Sequence, residues 1–187
     1  MTGRWPTSRA ADSGGLDGLG DLIAERLDVL FCGINPALSA AQSGHHFSSH
    51  SNRFWKVLHL SGFTPHVIHS QHDASILQYR CGLTAAVARA TIRAGDLAAR
   101  EFHQAASVLE AKIRCYRPRF VAFLGKPAFA AITHRKSIDW GRQLDMWGAH
   151  IWVLPNPSGL NRAFSLQQLV EAYSALRTAA QAGRHGS

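Results

Sequence analysis

The chain has 187 residues, 46% of them apolar and 17% charged, which suits one compact domain with a proper core. No apolar run approaches the ~18 residues needed to span a bilayer, so no membrane partner is expected. Lys plus Arg outnumber Asp plus Glu by 20 to 12, a formal charge of +8 with pI about 10.1, and this Arg-rich balance favours a polyanionic partner, nucleic acid above all.

Met1–Gly20 is rich in Gly, Ser and Thr and lacks the apolar core of a secretory signal. Residues 1–19 are therefore read as a flexible N-terminal extension, 20–182 as a single domain and 183–187 as a flexible tail, in a cytoplasmic protein. Gly20–Leu27 has a short helical pattern, with Leu22, Ile23 and Leu27 apolar. Val29–Ile34 reads as a buried strand, broken at Gly33 and Asn35-Pro36. A loop of Ser, Gly and His follows. Asn52–Gly62 then reads as a helix with Phe54, Val57, Leu58 and Ser61 on one side. Asp73–Tyr79 makes one or two helical turns. Cys81–Ala90 is either a short strand or a buried loop. Arg100–Tyr116 is a helix on which Phe102, Ala106, Leu109, Ile113 and Tyr116 follow the 3.6-residue period, and Pro118 stops it. Phe120–Leu124 reads as a buried parallel strand ending at Gly125. Lys126–Thr133 is a short helix that tolerates Pro127 in its first turn. Ser137–Gly148 is polar and aromatic and fits neither period. Ile151–Leu154 is the last strand, and Ser165–Gln181 the last helix. There Ser165 and Gln168 have capping-box spacing, and Leu166, Leu169, Val170, Tyr173 and Leu176 form the apolar stripe. Cys32, Cys81 and Cys115 are widely spaced and odd in number, so three reduced thiols are expected and no metal cluster.

Strands alternating with helices give the fold class: an α/β, three-layer α/β/α sandwich with a short, mostly parallel central sheet. Open sheets of this kind place ligands beyond the carboxyl ends of their strands. Two loops share that edge, and each opens with a strand running into Asn-Pro: Asn35-Pro36 and Asn156-Pro157. The proline confines each preceding Asn to extended geometry and aims its side chain outward. From Val29 to His72 there is no Asp or Glu, while Arg53, Lys56 and seven His are present. A site there is expected to face anions and to work without a carboxylate.

Three stretches of the first loop, Gly33-Ile34-Asn35-Pro36, Gly44-His45-His46-Phe47 and Asn52-Arg53-Phe54-Trp55-Lys56, resemble the first motif of the mismatch-specific uracil/thymine DNA glycosylases. Trp152 through Pro155-Asn156-Pro157-Ser158-Gly159-Leu160-Asn161-Arg162 resembles the second motif of their bacterial members. Tyr79-Arg80-Cys81-Gly82-Leu83-Thr84 and Leu124-Gly125-Lys126 also fit, so the likeness runs from about Leu30 to Leu176. It implies a uracil-DNA glycosylase-like fold, no cofactor, and a monomer acting on double-stranded DNA with a mismatched or damaged base. It assigns Asn35 as the catalytic residue that holds the attacking water. Gly33, Ile34, Phe47 and Asn156 would form the base pocket, with Phe47 stacked on the flipped pyrimidine, and His46, by its position beside Phe47, is a candidate to hydrogen-bond the base. Ser158, Gly159, Leu160, Asn161 and Arg162 would bind DNA, with Leu160 as the wedge that fills the gap left by the base.

Asn cannot act as a strong base, so such a site works by positioning and by electrostatic stabilisation of the leaving base and the sugar cation. No Lys stands where the family uses an amine nucleophile, which implies an abasic product and no strand cleavage. The chain departs from the family at Ala37, where Gly is usual, and at Ala85 and Ala88, where polar or acidic side chains are usual. Those departures keep open a mismatch- or abasic-site-binding protein with little catalysis. His45, His46 and His50 would suit a metal-dependent hydrolase, but zinc sites usually recruit Cys or carboxylates as well, so no metal ligands are assigned.

Overall fold

The computed structural model describes residues 19–92 and 94–182. The tail at 183–187, and the extension apart from Leu19, lie outside the described residues. One five-stranded sheet organises the rest, in the order β2 (Cys81–Ala85), β1 (Val29–Gly33), β3 (Phe120–Leu124), β5 (His150–Leu154), β4 (Gly141–Arg142). The first four are parallel, with Phe31 opposite both Leu83 and Ala122, and Phe123 opposite Val153. Only the two-residue β4 runs antiparallel, as an edge to β5.

Strands this apolar must be covered on both faces. Alternate residues of β1 show how. Val29 and Phe31 enter one core with Phe54, Val57 and Leu58 of α2 (Phe54–Leu60) and Leu169, Tyr173 and Leu176 of α5 (Leu166–Ala182). Leu30 and Cys32 enter the other, with Phe102, Leu109 and Ile113 of α3 (Ala99–Tyr116) and Ala128, Phe129 and Ile132 of α4 (Lys126–Thr133). This is the expected three-layer sandwich. The capping box of α5 is present: the Ser165 N–H donates to Gln168 Oε1 (2.8 Å) and the Gln168 N–H to Ser165 Oγ (3.2 Å).

Two expectations change and one ambiguity is resolved. Gly20–Leu27 is not helical. Leu22 instead pairs with Leu83, exchanging both backbone hydrogen bonds (2.9 and 2.8 Å). An uncovered β2 edge would leave its backbone groups without partners, and tertiary pairing outweighs a short helical period. Asp21 fastens this segment, accepting from Thr84 Oγ1 (2.8 Å) and pairing with Lys112 (2.6 Å). The ambiguous Cys81–Ala90 is a strand followed by a loop. The loop after Asn35-Pro36 contains a short helix, α1 (Leu38–Ser43), ended by Gly44 at φ 72 with its N–H on Ala40 O (2.9 Å). Asp73 lies in a 3₁₀ segment, Ser70–Tyr79, that packs against the same loop.

Candidate active site

The four parallel strands deliver Ile34-Asn35, Ala86–Arg89, Gly125-Lys126 and Pro155-Asn156 to one edge. Gly125 shows which of these ends meet. A Cβ there would lie 3.6 Å from Asn156 Cβ and 3.7 Å from Ile34 Cδ1, and its φ of 106° itself calls for glycine. Ile34 and Asn156, from the two motif loops, thus face each other across Gly125.

Asn35 is half-buried and its amide orientation is fixed. Nδ2 donates to Thr91 Oγ1 (2.7 Å), to Arg89 O (2.9 Å) and more weakly to Pro36 O (3.3 Å). With the nitrogen held this way, Oδ1 is left to accept, which is what a water-holding amide needs. Two further layers brace it. The Thr91 N–H donates to Pro36 O (3.1 Å) and Leu38 N–H to Thr91 O (3.2 Å). Arg89 forks onto Glu101, Nε to Oε1 at 2.7 Å and Nη2 to Oε2 at 3.0 Å. That fork and the Ala98 N–H hold the Glu101 carboxyl down to about 2. Sequence reasoning missed Thr91 and Arg89. A Thr 56 positions beyond the Asn gives no local signal; only the parallel pairing of β1 with β2 brings it there.

Phe47 sits at φ 53, in the left-handed region where a bulky side chain is costly, by about 1–3 kcal/mol. Its surroundings impose this. One ring face stacks on Phe54 (centroids 4.0 Å, planes 24° apart) and Trp55 meets it edge-on (6.4 Å). The ring is half-exposed, so it can serve as a platform backed by aromatic packing. The neighbouring backbone is pinned from three sides. The His46 N–H donates to Asp73 Oδ2 (2.8 Å), Trp55 Nε1 donates to His46 O (3.1 Å), and His46 Nε2 lies 2.9 Å from Gly20 O. A carbonyl can only accept, so His46 carries its proton on Nε2. Burial pushes its pKa below the usual histidine value, and the imidazole is neutral. The expectation of a carboxylate-free site needs correction here. Asp73, just past the acid-free window, folds back beneath the His-His-Phe turn because two consecutive loop residues face its oxygens: His46 by its N–H, and His45 Nδ1 at 3.6 Å from Oδ1.

The second loop, Pro155–Phe164, has no strand or helix of its own. Asn156 Oδ1 accepts from Ser158 N–H (2.9 Å), and Asn161 Nδ2 donates to Asn156 O (2.8 Å). Gly159 packs so closely on Ser51 that a Cβ would come within 2.6 Å of its backbone oxygen. At the tip, Leu160 is 81% exposed, the most exposed large apolar side chain among the described residues. Arg162 is exposed beside it. A core leucine gains from burial; this one is presented outward by a turn, at the position where the sequence places a wedge.

The uracil DNA glycosylase superfamily model matches residues 21–177 of the chain. The chain belongs to the uracil DNA glycosylase superfamily. The solution NMR structure of a candidate uracil DNA glycosylase from Methanosarcina acetivorans has the same fold, with a TM-score of 0.60, 19% identity, and 87% of this chain and 96% of that chain covered.

Other features of this superfamily member bear on the site. Ala37 replaces the usual glycine without strain: its φ of −70° and ψ of 151° are open to any residue. Ala85 is half-buried and Ala88 exposed, and both line a groove of about 320 Å³ against α3 that includes Glu101 and Lys112. His46 is engaged with Gly20, His45 faces Asp73 and His50 is exposed; among the described residues no group of three or more His, Cys, Asp or Glu could hold a metal ion. Burial pushes the Cys81 thiol up to about 12 and Cys32 higher still, so neither is a nucleophile at neutral pH.

Proposed function

We propose that this protein is a monofunctional DNA glycosylase of base excision repair, working as a cytoplasmic monomer on double-stranded DNA. It flips uracil out of a G·U mismatch and hydrolyses its N-glycosidic bond; thymine and damaged pyrimidines such as ethenocytosine opposite guanine fall in the same class. The observation that carries this reading is the orientation of the Asn35 amide, nitrogen anchored to Thr91 and Arg89 and Oδ1 free to hold a water, at the edge where Leu160 projects.

In the reaction, the C1′–N1 bond breaks and the base leaves with the electron pair. Water held by Asn35 Oδ1 adds to C1′ and gives its proton to solvent. The base is protonated after departure. A neutral amide is suited to this, since it neither repels phosphate nor opposes the developing base anion. Phe47 supplies the stacking face, and the gap in the helix is filled by Leu160, which offsets part of the few kcal/mol lost on unstacking.

A labelled duplex with one U·G pair, incubated with the protein and treated with hot alkali, tests this. Strand cleavage that falls on the order of 10²-fold or more in Asn35→Ala is expected. Tight binding of the mismatch without cleavage by the parent protein would instead establish the binding-protein reading that Ala85 and Ala88 favour.

A further inference from the structure

We propose that Arg53 is a positioning residue that holds the wedge loop in register with the base pocket. This rests on the glycosylase reading and on Leu160 as wedge. Arg53 belongs to the first motif, in the acid-free window where a site is expected to face anions. Its guanidinium instead lies inside the second loop. Nη1 donates to Phe164 O (2.7 Å), Nη2 to Asn161 O (2.8 Å) and Ser158 O (3.1 Å), and Nε more weakly to Pro157 O (3.4 Å). The Arg53 backbone N–H adds a bond to Pro157 O (3.0 Å). Carbonyls from Pro157 to Phe164 thus converge on one guanidinium, and the turn they bound carries Leu160 at its tip.

Local preference does not explain an arginine here. Arg53 stands at the N-terminal end of α2, where the exposed N–H groups favour an acceptor or an anion, and the first turn of α2 has no acidic residue to offset it. Where a residue opposes its local context, tertiary structure supplies the reason. The planar fork supplies five donors in fixed directions, which a lysine ammonium does not reproduce. The next residue, Phe54, carries the Phe47 platform on its ring. Residues 53 and 54 therefore fix the wedge and the base platform to one short piece of chain, and the distance between extruded base and inserted wedge is set there.

The test uses single-turnover excision from a U·G duplex and from the same uracil strand alone, in Arg53→Lys, Leu160→Ala and the double variant, with melting curves to monitor folding. Arg53→Gln serves if Arg53→Lys does not fold. Arg53→Lys is expected to slow duplex excision about tenfold or more, to change single-strand excision less than about threefold, and to add less than about twofold once Leu160 is alanine. Equal losses on both substrates, or effects of Arg53→Lys and Leu160→Ala that multiply, overturn the proposal. Leu160→Ala that spares the duplex would sink the wedge assignment itself. If the parent protein does not excise uracil, the glycosylase reading fails; the clamp is then judged by binding to a duplex holding a stable abasic analogue opposite guanine, where the same non-additivity is expected and multiplying effects overturn it.

Discussion

At the scale of single residues, the site depends on side chains whose proton and rotamer states are fixed by neighbours. Asn35 depends on Thr91, the buried hydroxyl that receives its Nδ2 at 2.7 Å. Thr91→Val keeps the shape and removes the shortest of the three acceptors, which loosens the amide. Excision should fall roughly tenfold to a hundredfold, the usual cost of a misplaced reacting group, with little change in melting temperature. A variant with parental rates would show that Arg89 O alone orients the amide. His46 makes a second prediction. Its pKa is lowered by burial, so the unfolded chain takes up a proton near the ordinary value of about 6.5 while the folded protein still resists it. The stabilising contribution is complete above about 6.5 and declines as pH falls from there toward the lower folded pKa. Denaturant midpoints measured between about pH 5 and 8 should drop on the acid side, and His46→Gln should flatten that slope. A parental slope in His46→Gln would place the titration elsewhere.

At the scale of elements, the loops matter more than the strands. Gly159 sits against Ser51 with room for no side chain, so Gly159→Ala must push the wedge turn off the first motif loop. Because the nearest atoms include the Ser51 backbone oxygen, trimming Ser51 to Gly should restore only part of the loss. Duplex excision in Gly159→Ala should fall more than single-strand excision; a full rescue by Ser51→Gly would argue that the side chain alone is in the way. The same contrast explains what was legible in the sequence. Strands β1, β3 and β5 announce themselves as short apolar runs, and both motif loops as Asn-Pro breaks after two of them. What a chain-order reading does not show is contact between distant segments. Asp73 under His46, Thr91 on Asn35 and Arg53 inside the wedge loop each follow from sheet order or loop packing. Gly20–Leu27 misleads for the same reason, since its partner Leu83 lies about 60 positions away.

At the scale of the whole molecule, a formal charge of +8 gives duplex binding a sequence-independent part that salt should weaken. On the proposed reading, cations at the carboxyl edge of the sheet would contribute directly. Lys126 begins α4 with its ammonium 4.5 Å over the Trp140 ring, and Arg162 is exposed next to the wedge. Two phosphate contacts would give a log–log slope of binding against salt of about −1.8, and each contact removed would lower its magnitude by about 0.9. Arg162 is the informative one, because the glycosylase reading offers it two partners, a phosphate or the opposite guanine. If it holds a phosphate, Arg162→Ala should weaken every duplex alike and flatten the slope by about 0.9, measured by fluorescence anisotropy on abasic-analogue duplexes with each of the four opposite bases. A loss confined to the guanine-opposed duplex, with the slope unchanged, would reassign Arg162 to reading the opposite base. In that case the selectivity for mismatches would come from the same loop that carries Leu160, and Arg53, which holds that loop, would influence specificity as well as rate.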